Sequence, residues 1–419
     1  MAKSEVKWTK LESASKIFPA IANEKDTKVF RLSCDLTEFV NPMILQEALN
    51  ITVKEFPIYS SVLKRGFFWY FFEEKASTFD VYPDTQPLHS ALYIDSKSPL
   101  FRVVYHKRRI SLEVFHALTD GMGASWFLRT LVAHYLNIKH EGQFADELAD
   151  LDLSASVDEK MADSFAENYR KKHIKKPLPS PYANAYVIKG SRNSEYRTKV
   201  IEATMSVQAT LALAKAHGTS LTIYLTALLI HAIRAEMAED ELDKPIVIAV
   251  PINLRNHFDS KTSRNFFANM EINYVFEEGD ETLADTITHL NLAFRDNLCG
   301  DNLTALLDKY MDLESNTFMR AVPLVLKDAV LRIAGRINYN SLSSLISNLG
   351  QIQLPEAMKP YVEKFSFSAS SSTPQISLCS FRDNLVISFN SPFADTEIQR
   401  NFYRYLTDAG IEMTVTANM

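Results

Sequence analysis

The pattern with the clearest chemical potential in this chain joins His116, Asp120 and Gly121. They lie in the segment Leu-Glu-Val-Phe-His-Ala-Leu-Thr-Asp-Gly, residues 112–121, where an apolar run that predicts a buried strand gives way to a helix starting near Gly123. An imidazole has an unperturbed pKa of about 6.5, so it can accept a proton from an alcohol or an amine near neutral pH. His116 is therefore a candidate general base. The alternative is an ordinary histidine at the end of a strand.

The local context of the motif favours catalysis. A strand end would hold the imidazole of His116 rigidly, and a short loop would expose it. Asp120 could fix this loop instead of touching a substrate. We expect Gly121 to adopt backbone dihedral angles that a side chain would forbid.

Hydrophobic periodicity in the first part of the chain predicts the elements that position this loop. One helix opens at Pro42 with its apolar residues on one face, and another covers residues 125–136 with Trp126 turned inward. Strands are predicted over residues 28–36, 66–72, 100–106 and 109–115. The last two form a hairpin that leads into the motif.

The second part of the chain repeats this alternation after a connecting segment. Residues 141–192 change from acidic to lysine-rich and then to proline-rich, as expected of a connection between two halves. Strands are then predicted over residues 198–205, 245–251, 271–276, 365–370, 376–381 and 385–389, and helices from residue 207 to the glycine at 218, over residues 220–233 and within residues 283–333.

A weak internal repeat suggests that the two halves are related. Residues 386–405 repeat the order strand, loop, helix of residues 110–135, and Ser391 and Asp395 have the spacing of the motif's histidine and aspartate. Alternatively, Asp and Ser are simply common caps at strand-to-helix junctions. If the repeat is real, the fold class is α/β, each half is a mixed sheet covered by helices, and the chain has one catalytic centre. We predict an N-terminal lobe over residues 1–145, a linker over residues 146–192 and a C-terminal lobe over residues 193–419.

Composition limits the class of protein. The chain has 419 residues, 46% of them hydrophobic, which suffices for a large core in two domains or one bilobed unit. A net charge of −6 leaves no field strong enough to collect nucleic acid or an anionic membrane nonspecifically, so we expect small-molecule partners. Cys34, Cys299 and Cys379 stand far apart in apolar surroundings, which predicts buried thiols and no metal pair. Without a signal sequence or a run of about 18 apolar residues, we expect a cytoplasmic protein with no membrane contact.

Residues 116–121 (His-Ala-Leu-Thr-Asp-Gly) resemble the His-x-x-x-Asp-Gly signature of the superfamily that contains chloramphenicol acetyltransferase, plant BAHD acyltransferases and nonribosomal peptide condensation domains. The resemblance is greatest to the stand-alone alcohol acetyltransferase-like branch and extends over nearly the whole chain. The plant motif Asp-Phe-Gly-Trp-Gly is missing, and Phe115 replaces the second histidine usual in condensation domains. The accompanying motifs are residues 65–70 (Arg-Gly-Phe-Phe-Trp-Tyr), 250–255 (Val-Pro-Ile-Asn-Leu-Arg), 264–267 (Arg-Asn-Phe-Phe) and 347–350 (Ser-Asn-Leu-Gly).

This resemblance implies two chloramphenicol acetyltransferase-like lobes with a tunnel between them. His116 would lie at the middle of the tunnel, with an acyl thioester and an acceptor entering from opposite faces. Asp120 would point away from substrate and pair with an arginine that braces the loop. Arg255 is the first candidate and Arg264 the second, because both follow the strand that ends at Pro251. The alternative is that Arg255 only meets solvent.

The resemblance also suggests groups that would bind the reacting oxygen and coenzyme A. Asn348 is the first candidate for a hydrogen-bond donor to the oxyanion and Ser347 the second, although an Asn before Leu-Gly is commonly a turn residue. The phosphates of coenzyme A could meet the lysines of residues 171–176, or Lys261 with Arg264. A run of lysines is, however, commonly a solvated face, and no glycine-rich phosphate loop is present.

Three functions follow as hypotheses. The leading one is an acyltransferase that moves an acyl group from acyl-CoA to a small-molecule alcohol or amine, with His116 as general base. Acyl-CoA would be a co-substrate and not a tightly bound cofactor, and a monomer would suffice. The second is a stand-alone condensation-type domain that takes its acyl group from a carrier-protein thioester. The third is a non-catalytic binding or adaptor protein on the same scaffold, because fold and motif do not prove activity.

Overall fold

The computed structural model describes residues 7–75, 78–151, 155–170, 184–194, 197–277, 282–315 and 320–418. Its strands are β1 (Trp8–Lys10), β2 (Val29–Leu36), β3 (Ser61–Arg65), β4 (Tyr70–Glu74), β5 (Val81–Pro83), β6 (Phe101–His106), β7 (Arg109–Phe115), β8 (Lys199–Ser206), β9 (Ile246–Asn253), β10 (Phe267–Tyr274), β11 (Ser344–Gln351), β12 (Val362–Ala369), β13 (Gln375–Phe381), β14 (Asn384–Ser391) and β15 (Met413–Ala417).

Its α-helices are α1 (Phe18–Ile21), α2 (Pro42–Glu55), α3 (Gly121–Lys139), α4 (Ala145–Asp150), α5 (Val157–Met161), α6 (Ser164–Asn168), α7 (Val207–Ala216), α8 (Leu221–Arg234), α9 (Leu283–Asn297), α10 (Gly300–Ser315), α11 (Leu324–Tyr339) and α12 (Glu397–Asp408). Short 3-10 helices cover Ser13–Ile17, Pro57–Ser60, Glu239–Glu241, Leu254–Asn256 and Glu356–Tyr361. The α/β class is confirmed.

The first lobe is built on a five-stranded sheet in the order β12-β2-β7-β6-β5. β2 and β7 are antiparallel, with Leu32 opposite Leu112 on a buried face that packs against α2 and α3. Because side chains alternate along a strand, Arg31 and Glu113 lie on the opposite face, where they form a buried ion pair at 2.9 Å. The predicted hairpin β6–β7 is confirmed, and it delivers the chain directly to His116.

The second lobe contains a seven-stranded sheet in the order β10-β9-β11-β13-β14-β8-β15. β11 is parallel to both of its neighbours and the other pairs are antiparallel, so the sheet is mixed. α8 is apolar on nearly every side and is buried between this sheet, α9 and α12, as expected of a helix without a polar face. Among the described residues no single helix is long and apolar enough to cross a bilayer, and α7 with α8 passes that test only as a pair bent by 79°.

One strand crosses between the lobes. β12 pairs with β2 in the five-stranded sheet, whereas β11 and β13, which precede and follow it, lie in the seven-stranded sheet. Phe365 and Phe367 of β12 bury their rings in the core of the first lobe, which accounts for its placement there. β12 therefore lies outside the C-terminal lobe that was predicted over residues 193–419. A division of the chain near the connecting segment remains our proposal.

Other local predictions differ from the structure in detail. The helix after the motif begins at Gly121 and not near Gly123, because Asp120 caps its N-terminus. The strand predicted over residues 66–72 is wrong in its first part: Gly66 donates to the carbonyl oxygen of Trp69 in a turn, and the strand starts at Tyr70. Cys299 is exposed, contrary to the prediction for all three thiols, because it lies at the start of α10 and not in a strand.

Candidate active site

His116 follows β7 directly, on the short loop before α3. Its backbone N–H donates to the carbonyl oxygen of Lys28 at 2.8 Å, which extends the pairing of β7 with β2 by one residue. Its own carbonyl oxygen accepts a hydrogen bond from Nδ2 of Asn265 at 3.0 Å. Asn265 lies just before β10, so the loop is tied to both sheets.

Aromatic rings surround the imidazole of His116. Phe18 stacks on it with ring centroids 4.3 Å apart, Phe30 meets it edge-on at 5.1 Å, and Phe267 lies at 5.4 Å. Nδ1 is buried and has no hydrogen-bond partner among the described residues. The residue as a whole is nevertheless only half-buried and lines a cavity, so the open part of its ring faces that cavity.

Burial lowers the pKa of His116 below its ordinary value of 6.5. Burial is the largest cause, because moving an imidazolium out of water disfavours the charged form. The carbonyl oxygen of His116, the carboxylate of Asp120 and the amide of Asn265 act in the opposite direction, while Lys28 adds to the lowering. This lowering favours the neutral imidazole, the form that can accept a proton.

The cavity beside His116 has a volume of about 360 Å³ and lies where the two sheets meet. β2 and β12 supply lining residues from one sheet, and β9, β10, β11 and β13 supply them from the other. This volume is in the range of small-molecule sites. Polar side chains converge on it, namely Asn253, Asn269, Tyr310, Ser344, Ser347, Asn348, Ser371, Thr373, Gln375 and Ser377.

Asp120 holds three elements together through one carboxylate. Oδ1 accepts from the backbone N–H of Gly123 at 2.9 Å and so caps α3. Oδ2 accepts from the backbone N–H of Phe266 and from Nη1 of Arg255, both at 2.8 Å. These bonds tie the His116 loop to the segment before β10.

Arg255 lies beside Asp120, with both side chains at least nine-tenths buried. Its Nε donates to the carbonyl oxygen of Thr262 at 2.9 Å, and its Nη1 also donates to Oδ1 of Asn253 at 3.1 Å. The guanidinium packs over the ring of Trp126 at 5.4 Å. A planar group with several donors can satisfy all of these partners at once, which a lysine could not.

Arg264 does not meet Asp120. It forms a buried ion pair with Glu12 and donates to the carbonyl oxygens of Lys10 and Met161. Burial raises the pKa of Glu12, and the positive charge of Arg264 lowers it by a smaller amount. The two arginines therefore brace different segments. Arg255 holds the motif loop, and Arg264 holds the N-terminal segment that carries Phe18.

Gly121 and Gly123, in the first turn of α3, allow close approach and do not adopt unusual dihedral angles. Gly121 has no positive φ, so the expectation about its backbone was wrong. A Cβ on Gly121 would lie 2.6 Å from Cδ2 of Leu349, and one on Gly123 would lie 2.1 Å from the backbone oxygen of Ser263. β11 and the segment before β10 thus pack directly on the first turn of α3.

Ser347 and Asn348 both line the cavity that contains His116, but their hydrogen bonds differ. The amide of Asn348 donates to Oγ1 of Thr222 at 3.0 Å and accepts from the backbone N–H of Gly350 at 2.7 Å. The hydroxyl of Ser347 has no hydrogen-bond partner among the described residues. The amide of Asn348 is therefore already engaged, whereas the hydroxyl of Ser347 is not bonded within the described residues.

The cations named for coenzyme A have unequal access to a ligand. Residues 171–176 lie outside the described residues. The side chain of Lys261 is about half exposed, with its amine 3.8 Å from Glu159, whereas Arg264 is buried and committed to its partners. Within the described part of the chain, no group of His, Cys, Asp and Glu residues could hold a metal ion.

Three contributors to the site were not predicted from the sequence. Phe18 lies in a segment without periodicity, and nothing in its neighbours signals a stacking role. Asn265 belongs to the segment Arg-Asn-Phe-Phe, and its place next to Arg264 could have drawn attention to it. Asp26 pairs with Lys28 at 2.6 Å and accepts from Oγ of Ser370 at 2.8 Å, so an ion pair also borders the cavity.

Comparison with known proteins finds likeness in structure. No protein-family model matches the chain, and no curated protein matches it in sequence. TRI3 trichothecene 15-O-acetyltransferase from Fusarium sporotrichioides has a TM-score of 0.61 and 12% identity, over 95% of this chain and 93% of that one. TRI101 of the same fungus, solved with coenzyme A and T-2, has a TM-score of 0.63 and 11% identity, over 97% and 99% of the two chains.

Condensation domains share this likeness. The first condensation domain of the CDA synthetase has a TM-score of 0.56 and 12% identity, over 96% of this chain and 95% of that one. At such identities the comparisons establish the fold. The chain has the two-lobed, chloramphenicol acetyltransferase-like fold that CoA-dependent acyltransferases and condensation domains share.

Proposed function

We propose that this protein is an acyltransferase that moves an acyl group from acyl-CoA to an alcohol or an amine, with His116 as general base. The observation that carries the proposal is an imidazole fixed at a strand end that lines a cavity between the two sheets. We further propose that this cavity is part of a tunnel that admits the two substrates from opposite faces.

The chemistry needs one base and one oxyanion donor. His116 takes the proton of the acceptor hydroxyl or amine while the acceptor atom attacks the thioester carbonyl carbon. Ser347 donates a hydrogen bond to the oxyanion of the tetrahedral intermediate. The carbon–sulfur bond then breaks, and the thiolate of coenzyme A leaves with the proton that His116 had accepted.

Asp120 and Arg255 are positioning residues in this proposal. Their hydrogen bonds are directed to backbone groups, to each other and to Asn253, with none to the imidazole, so they act by holding the loop. On the donor side, Lys261 and Arg264 are the described cations among those named for coenzyme A, and Lys261 is the accessible one of this pair. One chain supplies every residue of this mechanism, so a monomer suffices.

Release of free thiol from an acyl-CoA, measured with a panel of alcohols and amines, tests the proposal. His116→Ala should lower kcat by about 10²- to 10⁴-fold, the range for positioned proton transfer. His106→Ala is a matched control, because this histidine is exposed and does not line the cavity. It should leave both kcat and melting temperature unchanged.

The same assay separates the three hypotheses. Thiol release from acyl-CoA that depends on His116 supports the proposal. Release only from an acyl carrier protein would assign the condensation-type function. If a ligand binds but neither donor loses its acyl group, or if His116→Ala and His116→Gln turn over like the parent protein, the catalytic role of His116 is wrong.

A further inference from the structure

The outer face of α11 carries aliphatic side chains where a soluble protein normally presents polar ones. Leu326, Val330, Ile333 and Ile337 are between 57% and 62% exposed. At about 100° per residue they fall within an arc of about 60°, so they form one stripe along the helix. We call these four residues the apolar stripe.

The buried face of α11 carries two charged side chains beside Leu324, which departs from the usual pattern. Lys327 and Asp328 are both 2% exposed. Asp328 accepts from Nη2 of Arg65 at 3.0 Å and from the hydroxyl of Tyr70 at 2.9 Å, and Lys327 donates to the carbonyl oxygen of Phe68 at 3.0 Å. Two charged side chains of the helix thus attach it to the protein, while the aliphatic side chains of the apolar stripe are left outside.

An aromatic turn with exposed rings lies against the start of α11. Phe67 is 73% exposed and Phe68 is 42% exposed, and their rings contact each other at 4.7 Å. The carbonyl oxygen of Phe67 accepts from the backbone N–H of Leu324 at 2.8 Å, so the turn lies against the first residue of the helix. Large exposed apolar surfaces of this kind mark docking sites.

The exposed charges of α11 and the described charges that line a neighbouring cavity are positive, although the whole chain carries −6. The exposed charged residues of α11 are Arg332 and Arg336, because its single acid is the buried Asp328. Next to the aromatic turn, a cavity of about 580 Å³ is bordered by aromatic rings, and its described charged lining residues are cations. These cations are Lys10, Lys16 and Arg320, and we call this space the basic cavity.

We propose that the apolar stripe and the aromatic turn dock on the surface of an anionic lipid bilayer, with the basic cavity receiving a lipid headgroup phosphate. Aliphatic and aromatic side chains enter the acyl boundary while arginines and lysines meet anionic headgroups, as in interfacial helices. A symmetric dimer through the same face would bring Arg332 and Arg336 of two copies together, which argues for a lipid occupant. The net charge of the chain led us to expect no membrane contact, because a net charge averages over the whole surface and hides a local positive region.

The docking face is close to the candidate active site. Gly335, on the opposite side of α11, lines the cavity that contains His116. A bilayer under the apolar stripe would therefore lie about one helix diameter, roughly 10 Å, from the cavity wall. If the protein transfers acyl groups as proposed above, the bilayer could deliver a lipophilic substrate to this cavity. Membrane docking itself does not depend on that activity.

Flotation of the full chain with vesicles tests the proposal without using turnover. The probes are phosphatidylcholine vesicles and the same vesicles doped with phosphatidylglycerol. We expect binding to the doped vesicles and a loss of at least about tenfold for the double variant Val330→Glu/Ile333→Glu, because each aliphatic group contributes strongly when buried. Arg336→Gln should weaken binding to the doped vesicles about fivefold and leave binding to neutral vesicles unchanged.

The matched control is Met43→Glu/Ile94→Glu, which places the same charges at two exposed apolar residues elsewhere. It should bind like the parent protein, and melting temperatures should show that all variants fold. Failure of the parent to bind doped vesicles, or equal binding by the stripe and control variants, would overturn the proposal. A parent dimer that Val330→Glu/Ile333→Glu dissociates, or capture of an acidic carrier protein without vesicle binding, would assign the face to a protein partner instead.

Discussion

The carboxylate of Asp120 offers the most direct test of how the motif loop is held. Asp120→Asn keeps the size of the side chain but removes its charge and replaces one acceptor oxygen with an NH2 donor. Oδ1 can remain an oxygen and still accept from Gly123, so the cap of α3 is retained. The NH2 group then faces two other donors, the N–H of Phe266 and Nη1 of Arg255.

The expected cost follows from what is left unpaired. Removing one member of a buried ion pair costs about 3–5 kcal/mol, because the remaining charge stays out of water without a partner. At about 2.1 cal/mol/K per residue, unfolding 419 residues as one unit carries an entropy of about 0.9 kcal/mol/K, so Tm should fall by about 3–6 °C. Turnover should fall as well, since the loop that carries His116 loosens.

Thermal and urea unfolding measure this loss, and Asp395→Asn is the matched control. Asp395 occupies the corresponding strand-to-helix junction of the second half, is exposed, and accepts from the backbone N–H of Glu397 at 2.9 Å. Its substitution should change stability by about 0.5 kcal/mol or less.

A double-mutant cycle with Arg255→Met isolates the ion pair. Once Asp120 is Asn, removing the unpaired guanidinium should cost far less than it does in the parent protein. Equal losses for Asp120→Asn and Asp395→Asn, or strict additivity in the cycle, would refute the bracing argument.

Two further perturbations test the base and the packing of the loop. With an alcohol acceptor that does not titrate, kcat/KM should rise with pH and level off with a midpoint below 6.5, because burial lowers the pKa of His116 and only its neutral form accepts a proton. A midpoint above neutrality would contradict this assignment. Gly123→Ala should destabilise the protein by about 1–3 kcal/mol or more in urea unfolding, because its Cβ would lie 2.1 Å from the backbone oxygen of Ser263. Gly300→Ala, where a Cβ meets open space, is the control, and equal unfolding midpoints would show that the close approach is unimportant.

Much of the local structure could be predicted because its causes are short-range. The alternation of residues 100–115 encodes a hairpin that ends at His116, and the structure confirms it. Ser206 and Ser220 cap the helices that follow them, as their side-chain oxygens accept from backbone N–H groups three residues later. Periodicity and capping involve residues within one or two turns of each other, so the local sequence predicts them.

The choice between the two arginines needed the tertiary structure. Arg255 and Arg264 follow the same strand and carry the same charge, and Asp120 is 135 residues away from Arg255. Only the path of the chain between β9 and β10 decides that Arg255 reaches Asp120 while Arg264 reaches Glu12. Hydrophobic periodicity does not indicate contacts between residues that are so far apart in sequence.

Folding also decided features that contradict ordinary hydrophobic patterning. Phe18, the first residue of α1, stacks on the imidazole of His116, and β12 joins a sheet that its neighbours in sequence do not. In α11 the apolar face points to solvent because Lys327 and Asp328 find partners inside the protein. Amino-acid order specifies which side of a helix is apolar, but only the available partners determine which side is buried.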